Sequence, residues 1–116
     1  MGEQQLPVYE FGPFRLDVAE RRLLRGRRPI PLTCKVFDLL TLLVRHSGHL
    51  LSKDELMREV WPGCVVEDNN LTVSMSVLRK ALGEKKDRQR YIETVHKVGY
   101  RFISDVRQAN RSKPQS

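Results

Sequence analysis

The chain predicts an α+β fold, and three observations carry that prediction. Between Val8 and Leu32, short apolar runs alternate with Gly and Pro, as strands separated by turns do. Between Thr33 and Gly83, apolar residues return at helical spacing in three successive stretches. From Tyr91 to Ser104, two further extended runs flank a turn at His96-Lys97-Val98-Gly99.

The first stretch divides into VYEFGPFRLD, RRLLRG and RPIPL, punctuated by Gly12-Pro13 and Gly26, and reads as a small antiparallel sheet. Pro29 and Pro31 push its last run to an edge, because proline brings no N–H to a ladder. Thr33 is a candidate N-cap for the next element, whose Val36, Phe37, Leu39, Leu40, Leu43 and Val44 form the most apolar helix and the centre of the core. Gly48, just past its end, suits a left-handed C-terminal position.

Ser52-Lys53-Asp54-Glu55 is a capping box, in which hydroxyl and carboxylate each satisfy a backbone amide of the other residue. The helix it opens turns Leu56, Val60 and Trp61 inward and stops at Pro62-Gly63. Residues 63–68 are then a loop, and Asp68 or Asn69 caps a third helix over 69–82 that Gly83 ends. Residues 84–90 are charged and exposed. In the closing hairpin, over 91–104, Gly99 is free to take positive φ, and Arg101 points away from Tyr100 and Phe102. Residues 1–7 read as a disordered N-terminus and 105–116 as a linker or disordered tail, which leaves one domain over 8–104.

Lys and Arg number 21 against 14 Asp and Glu, a formal charge of +7 that favours polyanions such as nucleic acid or an anionic membrane surface. Cys34 and Cys64 stand alone without metal-ligand spacing, which suits a reduced, cytoplasmic compartment. No secretory leader and no run of about eighteen apolar residues is present, so no membrane contact is expected within the chain. Gly-rich phosphate loops, nucleophile elbows and spaced carboxylate pairs are also missing from the sequence. His46 and His49 straddle a helix end and, with Asp54, lack a further close ligand. The expectation is therefore no enzyme, no cofactor and no metal.

Functional information concentrates in the third helix. Leu71, Met75, Leu78 and Leu82 make one apolar stripe, while Asn69, Val73, Ser76, Val77 and Lys80 fall opposite. No acid occurs from Asn69 to Gly83, whereas an ordinary solvated helix mixes acids and bases at four-residue spacing. Two helices joined by a loop and followed by a basic hairpin form the skeleton of a winged helix-turn-helix, whose second helix enters the major groove of double-stranded DNA. Asn69 and Asn70 can pair with adenine, Arg79 with guanine or phosphate, and Thr72, Ser74 and Ser76 with either donors or acceptors. Val73 and Val77 fit thymine methyls or pack on a neighbouring loop. Lys80 reaches phosphate, and Trp61 belongs to the core rather than to a base-stacking platform. The alternative is a winged-helix protein–protein interaction module without DNA binding.

VVEDNNLTVSMSVLRKALG followed by YIETVHKVGYRF resembles the effector domain of the OmpR/PhoB family of bacterial winged-helix transcription regulators. FGPFRLD, Leu32-Thr33, FDLL, LSKDELMREVW, LRKALG and GYRF stand in family order from about Val8 to Ser104. The resemblance implies an N-terminal antiparallel four-stranded sheet, three helices with the third as recognition helix, and a C-terminal β-hairpin wing on the minor groove or its phosphates. It assigns the DNA face to Asn69, Asn70, Thr72, Val73, Ser74, Ser76, Val77, Arg79 and Lys80, with Thr94, His96, Lys97 and Arg101 from the wing. It also implies a loop, including Gly63, Val65, Val66 and Glu67, that contacts RNA polymerase, and head-to-tail pairing on direct repeats by a domain that is monomeric alone.

Many response-regulator members carry Arg at His96 and Gly at Lys97, and several carry Arg or Lys at Ser76 and Val77. The NNL and HKVGYRF patterns, and Lys35 where many response regulators have Glu, are more similar to the ToxR/CadC-like regulators. There the DNA-binding domain opens the chain, and a linker leads to a membrane span or another sensor module. No phosphoacceptor receiver fits within the 116 residues.

Overall fold

The computed structural model describes residues 7–63, 68–84 and 91–109. Their order is β1 (Val8–Phe11), β2 (Phe14–Asp17), β3 (Arg22–Arg25), β4 (Arg28–Ile30), α1 (Cys34–Arg45), β5 (Leu50–Ser52), α2 (Lys53–Val60), α3 (Asp68–Ala81), β6 (Ile92–Val95), β7 (Gly99–Phe102) and β8 (Arg107–Ala109). This is the winged helix-turn-helix that the sequence predicts, with two additions to its sheets.

The N-terminal sheet has the order β4-β3-β2-β1-β8, so a fifth strand joins the expected four. The tail reading for 105–116 is therefore corrected at Arg107–Ala109, which pairs antiparallel with β1 through Val8↔Ala109, Tyr9↔Gln108 and Glu10↔Arg107. Ladder bonds come from the backbone and need no apolar side chain, so the polar sequence RQA did not reveal the strand. Arg107 adds an ion pair to Glu10 at 3.4 Å. At the opposite edge lies β4 with Pro29, where a missing N–H does least harm. In the second addition, β5 lies beside the hairpin to make a sheet of order β5-β7-β6.

Helix ends follow the chemistry of their caps. The Thr33 side chain accepts from Val36 N–H at 3.3 Å. The box at α2 is closed in both directions, with Ser52 N–H to Glu55 at 2.8 Å and Glu55 N–H to the Ser52 hydroxyl at 3.1 Å. Gly48 takes φ +85 beyond α1, and its N–H reaches across to the Phe102 carbonyl at 2.8 Å, tying that turn to β7. Lys35 donates from Nζ to the Val60 carbonyl at 2.9 Å, satisfying the last turn of α2 from α1. Trp61 is the half-buried C-cap of α2 and packs against the core.

The core lies between α1 and its neighbours, with Leu39, Leu40, Leu43, Leu56, Leu71, Leu78, Ile92 and Phe102 fully buried. Each such side chain contributes about 1.5–3 kcal/mol relative to leaving it exposed. Four rings join the two sheets. Phe11 meets Phe14 at 5.6 Å and Phe102 edge-on at 5.1 Å, and Phe14 meets Tyr91 edge-on at 5.6 Å. The base of the hairpin is thereby fixed to β1 and β2.

Candidate nucleic-acid interface

The stripe predicted for α3 is the one that packs. Leu71, Met75, Leu78 and Leu82 are at most 3 % exposed, while Val73 is 52 % and Val77 45 % exposed. Asn69, Asn70, Thr72, Ser76 and Lys80 are also exposed, and Ser74 is half-buried at the margin. The helix begins at Asp68, so Asn69 lies inside its first turn and is not the cap. Gly83 ends the helix at φ +74: its N–H bonds the Lys80 carbonyl at 3.0 Å and Glu84 N–H bonds the Arg79 carbonyl at 2.9 Å. That pair of bonds is a Schellman motif, which needs the left-handed residue a glycine supplies.

Arg79 is placed differently from the expectation. Its guanidinium turns into the protein, donating to the Ile92 carbonyl at 3.1 Å and to the Thr94 hydroxyl, and it meets Glu84 at 3.1 Å. A side chain so engaged is not presented to a groove with its neighbours. Glu84, read as exposed, has a side chain only 1 % exposed and accepts the N–H groups of Tyr91 and Ile92 at 2.7 and 3.0 Å. Residues 85–90 lie outside the described residues.

The wing's strands pair as Ile92↔Phe102, Glu93↔Arg101, Thr94↔Tyr100 and Val95↔Gly99. Tyr100 and Phe102 face the core, and Arg101 faces the other way, as alternation requires. Arg101 is ion-paired across the strands with Glu93 at 2.9 Å. His96, Lys97 and Val98 form the exposed tip, and Val98, not anticipated as a surface feature, is 44 % exposed. The positive φ expected at Gly99 belongs instead to Lys97, at +67. Gly99 is required for another reason: a Cβ there would overlap the Leu51 carbonyl oxygen and lie 2.8 Å from Ser52 Cα. Lys53 N–H bonds the Val98 carbonyl at 3.1 Å, so the start of α2 also holds the wing.

Of the loop between α2 and α3, Gly63 is exposed with φ +72, while Val65, Val66 and Glu67 lie outside the described residues. Among the described residues, no group of three or more His, Cys, Asp or Glu could hold a metal ion, and no helix is long and apolar enough to cross a membrane. The described residues thus offer one helix face of amides, hydroxyls and valines with Lys80 at its end, and an exposed hairpin tip carrying Lys97 and His96.

Comparison with known proteins agrees with this geometry. The chain is similar to the transcriptional activator CadC of Escherichia coli, 36 % identical over 103 residues that cover 88 % of this chain and 20 % of that protein. It is 33 % identical to the transcriptional regulator HilA of Salmonella typhimurium over 92 % of this chain and 19 % of that protein. The chain therefore spans about a fifth of the length of these relatives. Among solved structures, the DNA-binding domain of E. coli CadC superposes with a TM-score of 0.78 at 34 % identity, over 91 % of this chain and all of that one. The Klebsiella pneumoniae RstA DNA-binding domain, in complex with the RstA box, gives 0.74 at 28 % identity over 83 % of this chain and 96 % of that one. Residues 27–102 match the family described as "Transcriptional regulatory protein, C terminal", and the chain belongs to that family of OmpR/PhoB-type winged-helix domains.

Proposed function

We propose that the chain is a sequence-specific double-stranded DNA-binding domain of a bacterial transcription regulator. The 69–82 face of α3 reads the major groove, and the hairpin wing, 91–104, touches the minor groove or its phosphates. The observation that carries the reading is the exposed, acid-free face of α3, joined through Arg79 to a hairpin whose exposed tip is basic. A helix fits the major groove, and amides, hydroxyls and methyls match the base-edge groups found there. The similar RstA domain was solved on its DNA box, which supports the same docking here.

In this reading Asn69, Asn70, Thr72, Val73, Ser76 and Val77 meet bases, with Ser74 at the margin. Lys80, Lys97 and His96 meet phosphates or the minor groove, and Thr94 and Arg101 brace the wing. Arg79 acts from inside the protein, which revises its role as a base reader. Gly63, Val65, Val66 and Glu67 belong to a loop that contacts RNA polymerase. Two copies bind direct repeats head to tail while the isolated domain is monomeric, and the domain works in the cytoplasm, where the chromosome is.

A mobility-shift titration on random genomic duplex at low salt tests the reading. Non-specific complexes are expected at about micromolar protein and should vanish steeply as salt rises, because bound phosphates release counterions. No shift at low salt would contradict DNA binding and leave α3 as a surface for a protein partner.

A further inference from the structure

A helix in one groove and a wing on another surface of the same duplex can bind together only if the protein fixes the angle between them. Among the described residues, every side-chain hydrogen bond joining α3 and its C-terminal turn to the wing passes through Arg79 or Glu84. We propose that Glu84 is a positioning residue for DNA binding, acting through Arg79 to hold the wing where it and α3 engage one duplex. The proposal rests on the DNA-binding reading above.

The four bonds form a closed circuit. Glu84 stands one residue beyond Gly83, and its Oε2 accepts the Tyr91 and Ile92 amides, where β6 begins. Its Oε1 is ion-paired with Arg79 Nε at 3.1 Å, and neither of these two buried atoms makes a hydrogen bond. Arg79 Nη2 then donates to the Ile92 carbonyl and, nearer the wing tip, to the Thr94 hydroxyl. The guanidinium also lies over the Tyr100 ring, with its carbon 6.0 Å from the ring centre. Helix, guanidinium, strand and carboxylate therefore return to the helix.

Burial gives the circuit its stiffness. The Glu84 side chain is 1 % and Arg79 26 % exposed, so water does little to screen the pair or to replace a lost partner. Removing the carboxylate leaves two strand amides without an acceptor and the Arg79 guanidinium without its counter-charge at the junction of helix and wing. Gln in its place retains an acceptor for the amides but loses the charge facing Arg79. The hydrophobic contacts holding α3 to α1 are untouched by either change, so the domain stays folded while the wing loosens.

The test uses the full chain with Cys34→Ser and Cys64→Ser, spin-labelled through Val73→Cys and Val98→Cys. Pulsed electron resonance on the free protein should give one narrow helix-to-wing distance. Glu84→Ala should broaden it, with Glu84→Gln intermediate. An unchanged width in both would overturn the proposal, and Glu84→Gln alone decides it if Glu84→Ala does not fold.

In unlabelled protein, Lys97→Ala should weaken duplex binding several-fold when Glu84 is present and less than twofold in the Glu84→Gln background, since a loosened wing has little left to lose. Equal losses in both backgrounds are what a merely structural role predicts, and would also overturn it. If the parent binds no duplex in any background, the DNA reading itself has failed, and Glu84 as a positioning residue for DNA fails with it. The distance measurement tells that case from a failed strap, because it needs no DNA.

Discussion

At the wing tip, two neighbouring residues divide the work that a single glycine was expected to do. Gly99 is small because β5 passes too close for a Cβ, and the atoms in the way are backbone that cannot swing aside. Gly99→Ala should therefore cost about 1–3 kcal/mol or more, the range for forced overpacking, read as a lowered midpoint in denaturant. Lys97 takes the left-handed conformation, which costs an L residue about 1–2 kcal/mol. Lys97→Gly should consequently stabilise the fold slightly, by up to about 1 kcal/mol once the greater freedom of glycine in the unfolded chain is counted. The same change should weaken DNA binding and reduce the salt slope by about 0.9, as expected for one lost phosphate contact. Stability and affinity moving in opposite directions would mark Lys97 as held there for binding. On α3, Asn70→Ala should cost about 1–3 kcal/mol on particular base pairs only, whereas Arg79→Ala should weaken all duplexes alike, because Arg79 is occupied inside the protein.

The elements were legible where their rules are local. Thr33, the Ser52–Glu55 box, Pro29 and the α3 stripe each encode a cap, a stop or a face within a few residues, and each is found as read. What could not be read depends on distant chain. Nothing in RQA foretells β8, because its partner is β1 at the other end of the sequence. Glu84 sits at the head of a charged run and looks solvated until β6 brings two amides to it. Removing β8 by ending the chain at Ser104 should uncover the edge of β1, speed exchange of its amides and lower the melting temperature by roughly 4–8 °C for each kcal/mol lost. The capping box makes a prediction in acid. The Glu55 carboxyl is held below the ordinary glutamate range, first by the Ser52 backbone N–H and then by the Ser52 side chain. A lowered folded value means that its stabilisation is complete above the unfolded value of roughly 4.3 and is lost as pH falls through the folded one. Glu55→Gln, which leaves no carboxyl to titrate there, should therefore flatten the acid limb of the stability curve and leave its neutral-to-alkaline side parallel to the parent. Ser52→Ala, which keeps the backbone N–H, should flatten it only in part.

For the whole molecule, attraction to any duplex is assigned in the proposed reading to the formal charge of +7, and discrimination between duplexes to the α3 face. The two parts separate experimentally, because only the first should fade with salt in proportion to the phosphates contacted. The most direct test of the central claim is selection of bound duplexes from a random pool, followed by measuring the winning site and its scrambled version at physiological salt. Reading by α3 predicts one enriched motif, in directly repeated half-sites, bound at least about a thousandfold more tightly than the scramble. Equal binding to both, with no motif rising above the starting pool, would contradict it.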